Sequence, residues 1–331
     1  MFPVERMPEL KRIILLHTCD GWKWYGWLVF AIFKFLCVCG QTKFAIDVKK
    51  DFMLFSYAAA TYFIPLLGLA KLHSWLKYHS KIEQMYRTIE ERFWDLNNTN
   101  KNLSNKLATR LSIISKIVSA HSLVSIGICT TIAIFPLVSF PDGRKNLPSA
   151  IWFPVNTDKA PIYEMIYTLL AISNHVSVLV NLNYDAIYVY FAQTLAVQFV
   201  LLKELLRNIT EVPEIVGPYR YHSEKFQNVI EERLKTCIEH HDLLMRFSKD
   251  IQKIYSFCLG VQISLSILSL VFTAYILSMD HDDIVKILKL LAYASALTTQ
   301  VLLYTLNGTE IERQIYKTVF SILTLIKKVT Q

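Results

Sequence analysis

The apolar positions of this chain come in blocks of about twenty residues, the length needed to cross roughly 30 Å of hydrocarbon. The pattern predicts membrane spans at about 22–42, 52–72, 113–140, 162–184, 254–279 and 284–306. A shortened apolar piece follows at 315–327. At 1.5 Å per residue it reaches on the order of 18 Å, too short to cross alone. Lys34 interrupts the first span and is read as snorkelling to the interface.

Two polar stretches with helical periodicity, 73–112 and 185–253, are predicted as cytosolic helical extensions. From Ile162 to Leu206 the pattern stays helical with no Gly or Pro. One helix of that length is on the order of 60 Å long, twice the hydrocarbon thickness. Its second half, with Asp185, Gln193, Gln198, Lys203 and Glu204, is therefore expected to leave the membrane. Pro213, Gly217 and Pro218 break the pattern, and Asp280–Asp283 make a tight turn before the sixth span. The fold class is all-α: a polytopic membrane helical bundle of six full spans plus a shortened seventh.

Between the third and fourth spans lies an outer loop, 141–161, with Pro148, Pro154 and Pro161. Three prolines forbid a single helix. Trp152, Phe153 and Tyr163 give the loop more aromatic surface than a bare connector needs, so it reads as a structured cap.

The composition agrees with a membrane chain. It is 53% hydrophobic and 19% charged, whereas a soluble domain would alternate apolar residues with charge. The net charge of +8 resides in loop lysines and arginines suited to cytosol and anionic lipid. No basic stripe carries interleaved aromatics, so nucleic acid is not a partner. Lys and Arg concentrate before the first span and in 73–112 and 185–253, which puts the N-terminus in the cytosol and the proline-rich loop outside. The sequons at Asn97, Asn102, Asn208 and Asn307 then fall on the inner side, where no glycan is added. Residues 1–20 are polar and mixed in charge and do not read as a cleavable signal peptide. The six cysteines are scattered, with no CxxC pair, and read as small buried hydrophobes.

Candidate chemistry is sparse. Cys237 and His241 stand at a spacing that can hold a metal, beside Glu239, His240 and Asp242. No second ligand pair is evident, so a packed amphipathic helix is the reading and no metal or cofactor is expected. His121, Asn174, His175, Asn181 and Asn183 lie within spans, where buried polar groups hydrogen-bond between helices or line a cavity. There is no acid–base pair, nucleophile elbow or phosphate loop, so an enzyme is not expected. The outer halves of the spans carry aromatic and small hydroxylated residues. Tyr57, Thr131, Phe135, Tyr167, Leu170, Ser173, Leu291 and Tyr293 are the candidates to hold a small, mostly apolar ligand. Ordinary helix packing is the competing reading for each.

Several stretches together resemble the insect odorant receptors. The loop carries Leu147-Pro148, Trp152-Phe153-Pro154, Ala160-Pro161, Tyr163 and Tyr167 in the order of that family's outer loop. The runs from Trp75 to Leu96, Arg233 to Gln262 and Gln300 to Gln314 are similar to its cytosolic and sixth-span segments. The resemblance implies a ligand-tuning subunit that binds a small volatile between its second, third, fourth and sixth spans. It implies assembly with a shared co-receptor as a heterotetramer that gates a non-selective cation channel. The place would be the plasma membrane of olfactory sensory neurons. Trp152, Pro154 and Tyr163 become landmarks of the outer loop. The stretch IYKTVFSILTLIKKVTQ resembles the tail of the pore helix, which makes Phe320 and Leu323 pore candidates. The connector and the start of that helix are missing after a turn expected at Gly308, so the chain is expected not to conduct as it stands.

Three competing readings make different predictions. A gustatory receptor shares the topology, but its Thr-Tyr-led C-terminal signature is not found. A G-protein-coupled receptor requires the reverse orientation. A small transporter favours an internal repeat or broken helices, and neither is found.

Overall fold

The computed structural model describes residues 24–96, 100–138, 147–155, 157, 159–211, 223–279 and 284–330. The N-terminal 23 residues, Asn97, the start of the outer loop (141–146), the break at Pro213–Pro218 and the turn at Asp280–Asp283 lie outside the described residues. The described residues form six helices: α1 Trp24–Asp47, α2 Phe52–Arg92, α3 Lys101–Val138, α4 Ile162–Arg207, α5 Glu224–Met279 and α6 Ile284–Thr330. Among the described residues there is no strand.

Local chemistry sets the ends of α2. Asp51 caps it by accepting from the Leu54 backbone N–H at 3.0 Å. Arg92 in the last turn opposes the negative end of the helix dipole. Five of the helices, α1 to α5, are long and apolar enough to cross a bilayer. Their outward faces are apolar too: Ile113, Ile117, Leu123 and Val124 on α3 and Phe257, Ile267, Leu268 and Val271 on α5 are exposed. An apolar surface of this extent is what a lipid-facing bundle presents.

The axis of the molecule is α4. Every residue from Val180 to Leu202 is buried, whatever direction it faces. Ile82, Met85 and Ile89 of α2, Phe93 just past its end, Leu107 and Leu111 of α3, Leu244, Phe247 and Ile251 of α5, and Ile311 of α6 pack around it in one cluster. That core lies in the half where the helices extend beyond the apolar blocks. The second half of α4, expected from the sequence to leave the membrane, is packed inside this core. Asp185 is 4% exposed and carries its charge inside the bundle.

Two sequence expectations need correction. The chain does not turn at Gly308, and no separate shortened span stands at 315–327: α6 runs unbroken through both. A helical Gly costs about 1 kcal/mol relative to Ala. Here its neighbours are tied down: Gln193 donates to Asn307 Oδ1 at 2.5 Å, and Arg110 pairs with Glu310 at 2.7 Å. The Tyr188 hydroxyl packs nearby, at ordinary contact distance (3.5 Å) from where a Cβ on Gly308 would stand. The side chain of Asn307 is buried in this network, which leaves no access for a glycan. α3 begins at Lys101, so it takes in the end of the expected 73–112 helical stretch before the apolar block at 113.

Residues 147–155 of the outer loop lie down on α1. The Trp152 N–H donates to the Gly40 carbonyl at 3.2 Å, and a Cβ on Gly40 would stand 2.7 Å from the Trp152 carbonyl oxygen. Ile151 packs into a small cluster with Cys37 of α1 and Leu170 of α4.

Candidate functional site

A cavity of about 210 Å³ opens in the half of the bundle beneath the 147–155 loop, roofed by Pro148, Ser149 and Ala150. Lys34 and Gln41 reach it from α1, and Tyr57, Ala60, Pro65 and Leu67 from α2. The α3 face is His121, Ser125, Ile128, Cys129 and Ile132, a single stripe at helical spacing. Asn174, Ser177, Val178, Asn181 and Leu182 come from α4, and Leu290, Tyr293, Ala296, Leu297 and Gln300 from α6. The wall is mostly apolar with a few polar groups converging on it, which is how small-molecule sites are built.

The polar groups fall into two clusters. Near the roof, Asn174 donates to Ser149 Oγ at 3.1 Å and accepts from Lys34 Nζ at 3.3 Å. Lys34 also donates to Ser173 Oγ at 3.5 Å. It is 3% exposed, so it does not snorkel.

At the floor, Gln300 links the cavity to a buried ion pair. Its amide donates to Asp185 Oδ2 and its carbonyl accepts from Gln262 at 2.9 Å. Lys71 Nζ lies 2.6 Å from Asp185 Oδ1, with 0% and 5% of the two side chains exposed. The Tyr304 hydroxyl donates to the same carboxylate. Residues of α2, α4, α5 and α6 meet here. An ion pair so buried persists only when further hydrogen bonds complete it, and Gln300 and Tyr304 supply them.

The sequence candidates divide by helix face. Tyr57 and Tyr293 line the cavity. Ser173 stands one step behind the wall, on Lys34. Tyr167 donates to the Ala133 carbonyl and ties α4 to α3, while Leu170 is buried under the loop. Thr131 and Leu291 face outward: Thr131 is exposed and bonds its own helix at Gly127, and Leu291 is 49% exposed. The cavity stripe of α6 is 290, 293, 296, 297 and 300, and Leu291 stands about 100° off its edge. The side chain of Phe135 lies outside the described residues. Trp152 carries Lys43 Nζ at 5.9 Å from its ring, Pro154 is exposed, and Tyr163 packs on Tyr167 at 5.6 Å; none touches the cavity. Phe320 and Leu323 project outward from the far end of α6. Sequence reasoning missed Gln300 and Lys34 as wall residues. For Gln300 the signal was its helical spacing to Tyr293, seven residues earlier.

The Cys237–Asp242 group has another role. Among the described residues, no three His, Cys, Asp or Glu side chains are placed to hold a metal. His240 instead stacks on Trp94 at 3.7 Å, with its Nε2 3.1 Å from Gln198 Oε1. Gln198 brackets the Trp94 backbone, accepting from its N–H at 3.0 Å and donating to its carbonyl at 2.9 Å. Since that oxygen is an acceptor, the imidazole donates to it. Burial pushes the His240 pKa down to about 4, and Arg92 and His241 add to the effect. The imidazole is a neutral latch between α4, α5 and the segment that follows α2.

The comparisons agree with this architecture. A family model described as 7tm Odorant receptor matches residues 52–317. Odorant receptor 82a of Drosophila melanogaster is 24% identical over 170 residues, 51% of this chain and 41% of that protein. The match therefore spans less than half the length of that relative. Odorant receptor 13a of the same organism is 21% identical over 311 residues, 93% of this chain and 72% of that protein. The insect olfactory receptor OR5 from Machilis hrabei superposes with a TM-score of 0.76 at 12% identity, covering 95% of this chain and 80% of that one. Its structure in complex with eugenol gives 0.78 at 12% identity, covering 99% and 90%. At that identity the likeness carries the fold alone.

Proposed function

Because the chain belongs to the 7tm Odorant receptor family and is a multi-pass membrane protein, we propose that it binds a small volatile ligand in the cavity beneath Pro148–Ala150. Assembled with an odorant receptor co-receptor in the plasma membrane of olfactory sensory neurons, its N-terminus cytosolic, it then biases a cation channel toward opening. It acts as a receptor and not as an enzyme.

The observation that carries this reading is the position of Gln300, in the cavity wall and bonded to Asp185. A ligand acts on a receptor only through a difference in affinity between two states. A ligand packed against Leu297 and Tyr293 bears on the helix turn that holds Gln300, and through it on the α4–α6 contact. Because α6 is one helix of 47 residues, a shift at the cavity reaches its cytosolic end as a rigid displacement. The cavity is below the roughly 300 Å³ at which pockets for drug-sized ligands begin, so it suits molecules of volatile size. The neighbouring receptor solved with eugenol supports a small ligand of this kind.

The test has two arms. An odorant panel is applied to the purified chain in lipid nanodiscs, reading the ligand-induced rise in melting temperature. The same ligands are applied to cells expressing the chain with a co-receptor, reading cation current. Binding with current supports the full reading. Binding without current removes the gating step, and no binding across a broad panel removes the ligand site.

A further inference from the structure

Among the described residues, Lys34 is the formally charged side chain of the cavity wall. Its Nζ meets only neutral oxygens, Ser173 Oγ at 3.5 Å and Asn174 Oδ1 at 3.3 Å. Both bonds are long for an ammonium donor. Among the described residues, no carboxylate lies within ion-pair distance of it. The contrast is Lys71, equally buried, which has Asp185 at 2.6 Å and two further groups holding that carboxylate. Burying an ammonium without a counter-charge is costly, and a ligand that brings the charge removes the cost.

We infer that Lys34 sets the ligand class: the cavity takes a small aliphatic carboxylate, its oxygens on Lys34 Nζ and its chain along Ile128, Ile132, Leu290 and Leu297. This rests on the cavity being the ligand site and adds the headgroup chemistry. Asn174 and Ser149 stand beside Lys34 as polar neighbours for the second carboxylate oxygen. A different headgroup has one argument in its favour. Gln41 Oε1 and Asn181 Oδ1 belong to wall residues and have no hydrogen-bond partner among the described residues, and an alcohol would donate to either. Charge decides between the two, since an unpaired amide oxygen costs less than an uncompensated buried cation.

The experiment uses the full chain in nanodiscs of neutral lipid at pH 7, with hexanoate, hexanal and 1-hexanol as probes and melting temperature against concentration as the readout. The expected result is half-saturation by hexanoate at a concentration lower than that of 1-hexanol by about tenfold or more, the worth of a charged hydrogen bond over a neutral one. Lys34→Met abolishes that preference, while Lys34→Arg keeps it. A wild-type preference for hexanal or 1-hexanol overturns the inference while leaving the cavity as the ligand site. An acid preference that survives Lys34→Met overturns it equally. No shift with any of the three probes overturns both. The wild-type order stands as a test even if a variant fails to fold.

Discussion

Gln300 donates to Asp185 while forming part of the cavity wall. One side chain is thus shared between the space a ligand would fill and the ion pair that joins α4 to α2. Replacing it with Leu keeps the volume and removes both bonds. Asp185 then keeps Lys71 and Tyr304 but loses a donor, and the Gln262 amide keeps Ser266 but loses its other acceptor. The expected cost is about 1–3 kcal/mol of stability, read from thermal melts. Ligand affinity should change little, whereas current per bound ligand should fall. A variant with wild-type dose–response and efficacy would mean that Gln300 transmits nothing.

The Lys71–Asp185 pair should respond asymmetrically to single and double substitution. Lys71→Met strands a buried carboxylate and is expected to cost about 3–5 kcal/mol, as is Asp185→Leu, which strands the ammonium. The double variant should recover most of that loss, because neither charge is left unpaired. Additive melting shifts in the double-mutant cycle would show that the two charges do not act as a unit.

Gly40 has no room for a side chain. Its added Cβ would stand 2.7 Å from the Trp152 carbonyl and 2.9 Å from Ile151, so Gly40→Val must push the loop off α1. The roof at Pro148–Ala150 is continuous with that contact. The variant should fold, since α1 otherwise tolerates Val, yet lose at least about tenfold in ligand affinity as the cavity opens to water. Retained affinity would uncouple the loop contact from the site.

His240 predicts an acid-sensitive latch. Its folded pKa, about 4, lies below the unfolded value near 6.5, so below pH 6.5 the unfolded chain binds the extra proton. Stability present at neutral pH is therefore lost as pH falls from about 6.5 to about 4, by on the order of 3 kcal/mol, and is flat below. In His240→Gln, melting curves from pH 7.5 to 4 should lose most of that slope. An unchanged slope would assign the acid sensitivity to other groups.

Much of the architecture was legible because membrane spans announce themselves by length. Blocks of about twenty apolar residues placed the helices, and the absence of Gly and Pro from Ile162 to Leu206 marked α4 as unbroken. What failed was register and partnership. Leu291 and Tyr293 look alike as candidates in a list, but two residues on a helix are about 200° apart, and only Tyr293 faces the cavity. Lys34 was expected to reach the interface because a lone lysine in an apolar run usually does; the oxygens that keep it inside belong to α4, 139 and 140 positions away. Gly308 looked like a turn because the side chains that hold α6 straight there, Gln193 and Arg110, are likewise remote in sequence.

The central claim is that the ligand sits against the 290–293–297–300 face of α6 and not its lipid face. Ala296 is in the cavity wall, and Leu291 points outward. The direct measurement is ligand-induced melting shift for Ala296→Trp and Leu291→Trp in nanodiscs, using any panel ligand that stabilises the wild type. Ala296→Trp should fill the cavity and abolish the shift while the chain still melts cooperatively. Leu291→Trp, turned to lipid, should keep it. Loss at Leu291 with retention at Ala296 would put the ligand elsewhere and contradict the account.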